Sequence, residues 1–287
     1  MSEGSTRFAP AGLAVAVLAV STSAVLVRAT TAPSIIAALY RVTFTVVLLV
    51  PFAVVRPGKL IEGIDRRATL GGVLAGVALA LHFATWFESL EWTSIAASVT
   101  LVQCQPVFVV IGAGVVLNER VTRQTVVGIT VALCGMVFLS GAPTTQGSLF
   151  GNGLAITGAA LAGGYVLAGR SLRRRVNLIG YVLVVYSACA VVLCLLAIAS
   201  GHTLVGYSDT DWLLFLAMAV GPGLLGHTVI NWVLAHVRST VVSVALLGEP
   251  VGATLLGLVV FGEMPSAVTI VGGAVVLCGI AITALSE

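Results

Sequence analysis

The chain has 287 residues, of which 59% are hydrophobic and only 9% charged, with a further 32 glycines and a formal charge of +3 from 14 basic and 11 acidic residues. An ordinary soluble domain carries about 25% charged residues, so this composition excludes a disordered chain, a disulfide scaffold and an ordinary soluble enzyme. It also lacks the basic, aromatic-interleaved surface that a nucleic-acid partner requires, and the mean hydropathy of +1.12 points to a lipid bilayer as the chain's solvent.

A hydrocarbon core about 30 Å thick takes about 20 helical residues to cross. The sequence predicts ten such spans, at 10–27, 33–55, 69–90, 93–117, 122–140, 150–169, 177–200, 212–235, 239–261 and 266–285. Backbone groups in lipid must be bonded internally, so an all-α polytopic membrane protein is expected. The first span follows Arg7 and has a superficial likeness to a signal peptide, but it is long for one and its pattern recurs in the sixth span, so it reads as a retained helix.

Basic residues prefer cytoplasmic loops. With the N-terminus inside, twelve of them (Arg7, Arg56, Lys59, Arg66, Arg67, Arg120, Arg123, Arg170, Arg173, Arg174, Arg175 and Arg238) fall on inner segments, Arg28 falls outside, and Arg41 is left within the second span. Both termini are therefore expected on the cytoplasmic side of the plasma membrane. The arginines at 170–175 read as a topology anchor, with anionic-lipid binding as the alternative. Cys104, Cys134, Cys189, Cys194 and Cys278 all lie in apolar runs without metal or redox spacing, so they read as small apolar residues and neither a metal nor another cofactor is expected.

Sliding the chain by 144 residues places Pro106 on Pro250, Glu119 on Glu263, Gly128 on Gly272, Cys134 on Cys278 and Gly135 on Gly279, with 12 of 30 positions identical from Pro106 to Gly135. At an offset of 141, Gly12-Leu13-Ala14 falls on Gly153-Leu154-Ala155. The expected organisation is two five-helix repeats, 1–141 and 142–287. An odd number of spans turns the second repeat upside down, an arrangement from which many secondary transporters are built.

The stretch Glu88 to Ser98, Gln105-Pro106-Val107, Leu117-Asn118-Glu119-Arg120 and the Gly128…Gly135 helix, echoed by Gly248-Glu249-Pro250-Val251, Phe261-Gly262-Glu263 and Gly272…Gly279, resembles the EamA-type branch of the drug/metabolite transporter superfamily over essentially the whole chain. The resemblance implies a transporter rather than an enzyme. Members of that superfamily include amino-acid and metabolite exporters, with nucleotide sugars and sugar phosphates carried by more distant relatives. It further implies that spans five and ten serve packing or homodimer contacts rather than substrate binding. The first span departs from the pattern, reading Ala19-Val20-Ser21-Thr22-Ser23-Ala24 where many members have a Trp-Gly pair.

Polar groups at mid-depth mark the candidate site, because an ionisable side chain is costly there. At 1.5 Å per residue, Arg41 lies about 12 Å from the outer end of its span, Glu249 about 15 Å into its own, Gln105 about 18 Å, His82 about 20 Å and His227 about 22 Å. Trp86 shares a face with His82, and Asn231 with His227, at helical i,i+4 spacing. Ser34 and Thr45 share a face with Arg41. Arg41, His82, Trp86, Gln105, His227, Asn231 and Glu249 are thus the expected substrate-binding residues. Arg41 would face an anionic group, and Glu249 an ammonium or a transported proton; Tyr40 and Tyr165 would add apolar contacts. Each also admits a structural reading, Arg41 and Glu249 as a mutual ion pair above all. Glu119 and Glu263 precede helices five and ten, where a carboxylate suits the helix dipole.

These features favour a secondary active transporter that exports small polar metabolites such as amino acids. The alternatives are an exporter of drugs, sugars, organic acids or nucleosides and, further off, an integral membrane enzyme acting on lipid phosphates or a channel. An enzyme would require a His/Asp/Arg cluster near one interface, and a channel a continuous polar lining; neither is written in the sequence.

Overall fold

A computed structural model describes residues 8–55, 63–93, 95–140, 148–262 and 264–285. Glu263 and the terminal residues of the predicted repeats lie outside them. Among the described residues all regular structure is helical. In chain order the helices are α1 (Ala9–Ala29), α2 (Ser34–Val55), α3 (Arg66–Trp92), α4 (Ile95–Val102), α5 (Gln105–Val116), α6 (Arg123–Ser140), α7 (Leu149–Arg173), α8 (Leu178–Ala199), α9 (Asp209–Met218), α10 (Val229–Val233), α11 (Ser239–Ala245), α12 (Glu249–Phe261) and α13 (Ala267–Ala284). A π-helical stretch, Ala219–Thr228, joins α9 to α10, and a 3-10 turn, Leu246–Gly248, joins α11 to α12.

Nine helical stretches among the described residues are long and apolar enough to cross a membrane, and Arg123–Phe138 in α6 is a shorter apolar helix. The difference falls on the fifth predicted span, where α6 runs Arg123–Ser140 and its described apolar part ends at Phe138. Elsewhere the helices outrun the apolar stretches. The predicted 69–90 and 150–169 become Arg66–Trp92 and Leu149–Arg173, because side-chain caps extend them into polar residues. Asp65 accepts from the Ala68 amide at 2.6 Å and Ser148 from the Gly151 amide at 3.0 Å, each satisfying an otherwise orphaned N–H.

The packing repeats between the two halves of the chain. α3 lies on α7 as the π-stretch and α10 lie on α1. α5 lies on α7 as α12 lies on α1. α2 packs on α8, and α6 on α13. The last pair is set by glycine. A Cβ at Gly128 would strike Thr283 and the Gly279 carbonyl, and one at Gly279 would strike Ala132 and the Gly128 carbonyl. Small residues thus bring these two backbones together, and the glycine faces predicted in spans five and ten are used within one chain. The main core is built by α1, α2, α3, α7, α8 and α10, with Tyr165, Val166, Tyr181, Val185 and Leu193 buried at its centre.

Candidate functional site

α2 carries Arg41 into this core, where it is buried. Its guanidinium carbon lies 4.5 Å from the centroid of the Phe83 ring on α3. Among the described residues it makes neither a hydrogen bond nor an ion pair, so all five of its N–H donors lack a protein acceptor. An uncompensated buried charge is costly, and a cation–π contact offsets about 0.5–2 kcal/mol of that cost. Arg41, Thr45, Phe83, Tyr186, Gly223 and His227 line a cavity of about 10 Å³, roughly the room one water requires.

The same cavity touches the irregular part of the next helical rod. Pro222 cannot donate a backbone hydrogen bond, and the stretch around it relaxes into π-helix. Thr228 spans the widened turn by donating to the Gly223 carbonyl at 3.1 Å. A Cβ at Gly223 would collide with the Thr45 hydroxyl, so glycine is what lets the π-turn press against α2. Thr45 Oγ1 in turn donates to the Arg41 carbonyl at 2.7 Å. His227 projects from this turn, 6.1 Å from Tyr165 and 6.3 Å from Phe83 between ring centroids, and its Nδ1 is buried without a partner among the described residues.

Asn231, one turn beyond His227, is fully buried. Its amide nitrogen donates to the Tyr165 hydroxyl at 2.6 Å, to the His227 carbonyl at 2.8 Å and to the Tyr186 hydroxyl at 3.4 Å. Its Oδ1 has no hydrogen-bond partner among the described residues. Asn231 therefore reaches the cavity through Tyr186 rather than lining it.

The other expected site residues divide. His82 hydrogen-bonds the Gly158 carbonyl on α7 at 2.9 Å through Nδ1 and stacks on Trp86 at 6.0 Å. It reaches the cavity only through Phe83, 5.1 Å away. Trp86 Nε1 is buried without a partner. Gln105 opens α5 immediately after a break in the helix at Gln103–Cys104, faces Gly163 of α7, and does not line the cavity. Glu249 opens α12 after the corresponding break at Leu246–Gly248. Its carbonyl accepts from Ser21 Oγ at 3.0 Å, while its carboxylate has no hydrogen-bond or ion-pair partner among the described residues. Arg41 and Glu249 form no ion pair within 4.0 Å. Tyr40 lies apart, in an outer aromatic cluster 4.6 Å from Trp212 and 5.3 Å from Phe215.

Phe83, Tyr186 and Thr228 are lining or linking residues that the sequence did not single out. Phe83 and Tyr186 sit in apolar runs, where nothing distinguishes a ring facing a cavity from one filling the core. A usable signal for Phe83 was its place beside His82 and about one turn before Trp86. Among the described residues no group of three or more His, Cys, Asp or Glu is placed to hold a metal ion, and all five cysteines are free.

A solved structure titled only "Crystal structure of protein" is 21% identical, covers 97% of this chain and 96% of its own, and superposes with a TM-score of 0.81, a likeness of fold. Among proteins of curated function no match is found. The sequence pattern of the EamA-like transporter family matches residues 8–141 and 149–285. This multi-pass membrane protein belongs to the EamA-like transporter family.

Proposed function

We propose that the chain is a secondary active transporter of the plasma membrane that exports small polar metabolites bearing an anionic group, amino acids foremost. The observation that carries this reading is the Arg41 guanidinium, buried beside a cavity with no acceptor for its donors among the described residues. A substrate carboxylate would meet these preorganised donors with charge-assisted hydrogen bonds. The His227 Nδ1, without a partner among the described residues, would add a contact, and Glu249, which forms no close ion pair with Arg41, would bind an ammonium or carry a proton. His82, Trp86, Gln105 and Asn231 would complete or support the site as it opens.

In this reading ten spans form two inverted five-helix repeats, with both termini cytoplasmic. The site opens alternately to each side as the halves rock. The cavity of about 10 Å³ is too small for an amino acid, so binding requires expansion, which the π-stretch and the breaks at Gln103–Cys104 and Leu246–Gly248 can absorb. A homodimer through spans five and ten would use faces turned away from the mutual glycine contact, where Val126 and Val271 are exposed.

The test is counterflow in proteoliposomes preloaded with a mixed amino-acid pool, adding labelled amino acids singly outside. Selective uptake that is lost in Arg41→Ala is expected. Correctly inserted protein that takes up no amino acid would sink the amino-acid reading and direct the assay to sugars, organic acids and nucleosides.

A further inference from the structure

At the end of α7 two arginines grip the C-terminal turn of the π-bulged rod. Arg170 Nε pairs with Glu119 Oε1 at 2.6 Å, and Arg170 donates a second hydrogen bond to the Leu234 carbonyl at 3.0 Å. The other Glu119 oxygen accepts from the Ser239 amide at 3.2 Å and its hydroxyl at 2.8 Å. Arg173 Nε donates to the Asn231 carbonyl at 3.1 Å. One carboxylate and two guanidinium groups thereby tie together the loop after α5, the end of α7, the end of α10 and the start of α11. The side chains of Glu119 and Arg170 are only 8% and 13% exposed, so the pair is largely desolvated.

This clasp is continuous with the cavity. Asn231 offers its carbonyl to Arg173 and its amide to Tyr165 and Tyr186, and Tyr186 lines the cavity beside Arg41. We propose that the Glu119–Arg170 pair, with Ser239 and Arg173, is the gate that closes the cavity toward the cytoplasm, and that Asn231 transmits the occupancy of the cavity to it. The proposal rests on the transport reading of the same cavity and on the orientation that puts the end of α7 inside.

The physics favours two states over a continuum. Separating the pair without water would strand two buried charges, so the clasp is either intact or fully open and hydrated. A substrate that draws Tyr186 toward Arg41 pulls on the Asn231 amide. Its effect on the gate is then limited by its differential affinity for the closed and open states.

The experiment reads the gate without reading transport. A cysteine is placed in the cavity wall as Leu79→Cys, after all five native cysteines are replaced by serine. Its labelling by a membrane-impermeant maleimide is then timed from the cytoplasmic face of inside-out vesicles. Glu119→Gln and Arg170→Gln, each shown by gel filtration to be folded, should both raise the labelling rate by about tenfold. Arg170→Lys, which keeps a charge for Glu119, should stay nearer the parent. Rates unchanged in both glutamine variants would overturn the gate, and so would an increase as large in Arg170→Lys. Labelling requires neither substrate nor flux. Faster labelling in a protein that transports nothing would therefore sink the transport reading and leave the clasp as a conformational lock, whereas intact exchange with unchanged labelling would sink the gate alone.

Discussion

The Arg41 guanidinium rests 4.5 Å from the centroid of the Phe83 ring and has no acceptor among the described residues. The ring face attracts the cation without occupying its N–H donors, so it can hold the charge in place while leaving its hydrogen-bonding capacity for a ligand. Phe83→Leu keeps the bulk and removes the quadrupole. It should raise the KM for exchange by about 2- to 30-fold, the equivalent of about 0.5–2 kcal/mol of cation–π attraction, with kcat changed less. Initial exchange rates over a range of substrate concentrations check this; an unchanged KM would mean that the ring only fills space.

Arg41→Lys separates charge from shape. A lysine retains the cation but not the planar fork that meets a carboxylate on two oxygens. Exchange should persist with weakened affinity, while Arg41→Ala abolishes it. Equal activity of Arg41→Lys and wild type would argue that long-range attraction, not bidentate binding, is what the position supplies.

Asn231 holds two tyrosine hydroxyls and a carbonyl with one amide nitrogen. Asn231→Leu removes that donor in a fully buried place and strands its acceptors, at a cost of about 1–3 kcal/mol for each group left unsatisfied. The variant should unfold at a lower temperature in detergent. Tyr165→Phe, which loses a single hydroxyl, should fall between it and wild type.

Much of this arrangement was legible in the sequence, and what was not has identifiable causes. The 144-residue offset that superposes Pro106 on Pro250 also locates the two helix breaks, because proline forfeits a backbone donor wherever it stands. Arg41 and His227 stood out because ionisable groups are rare at depth, and they do share a cavity. The π-stretch was not legible: Gly221-Pro222-Gly223 announces an irregular turn but not its pitch. Arg170 and Arg173 read as topology anchors, and the structure adds that they donate to the Leu234 and Asn231 carbonyls, since a count of positive charge carries no information on whether each charge is paired. Glu119 was expected to favour the dipole of the helix that follows it. Its carboxylate instead reaches the Ser239 amide at the start of α11 and Arg170, partners more than 50 residues away that no local pattern reveals.

The contact between α6 and α13 yields a stability prediction that is independent of function. Gly128→Val and Gly279→Val each place a branched side chain where backbone from the facing helix already lies. Rotamer changes cannot relieve such a clash, because the obstacle is main chain. Both variants should express poorly or elute as aggregates on gel filtration. Cys134→Val and Cys278→Val, at exposed positions on the same helices, should behave like wild type. A well-behaved Gly279→Val would mean that the two helices separate at little cost.

Glu249 tests the energy source. Its carboxylate has no hydrogen-bond or ion-pair partner among the described residues, so its charge can change without breaking a bonded network. If it carries a proton against substrate, an acidic vesicle lumen should drive accumulation of external substrate: protons leave through the same residue that substrate displaces on entering. Glu249→Gln is a permanently neutral mimic. It should still exchange substrate across the membrane but should no longer accumulate it, and its flux should lose the dependence on pH seen in wild type. Accumulation undiminished in Glu249→Gln would remove Glu249 as the proton carrier. Loss of both exchange and accumulation would instead assign the carboxylate to the substrate's ammonium group.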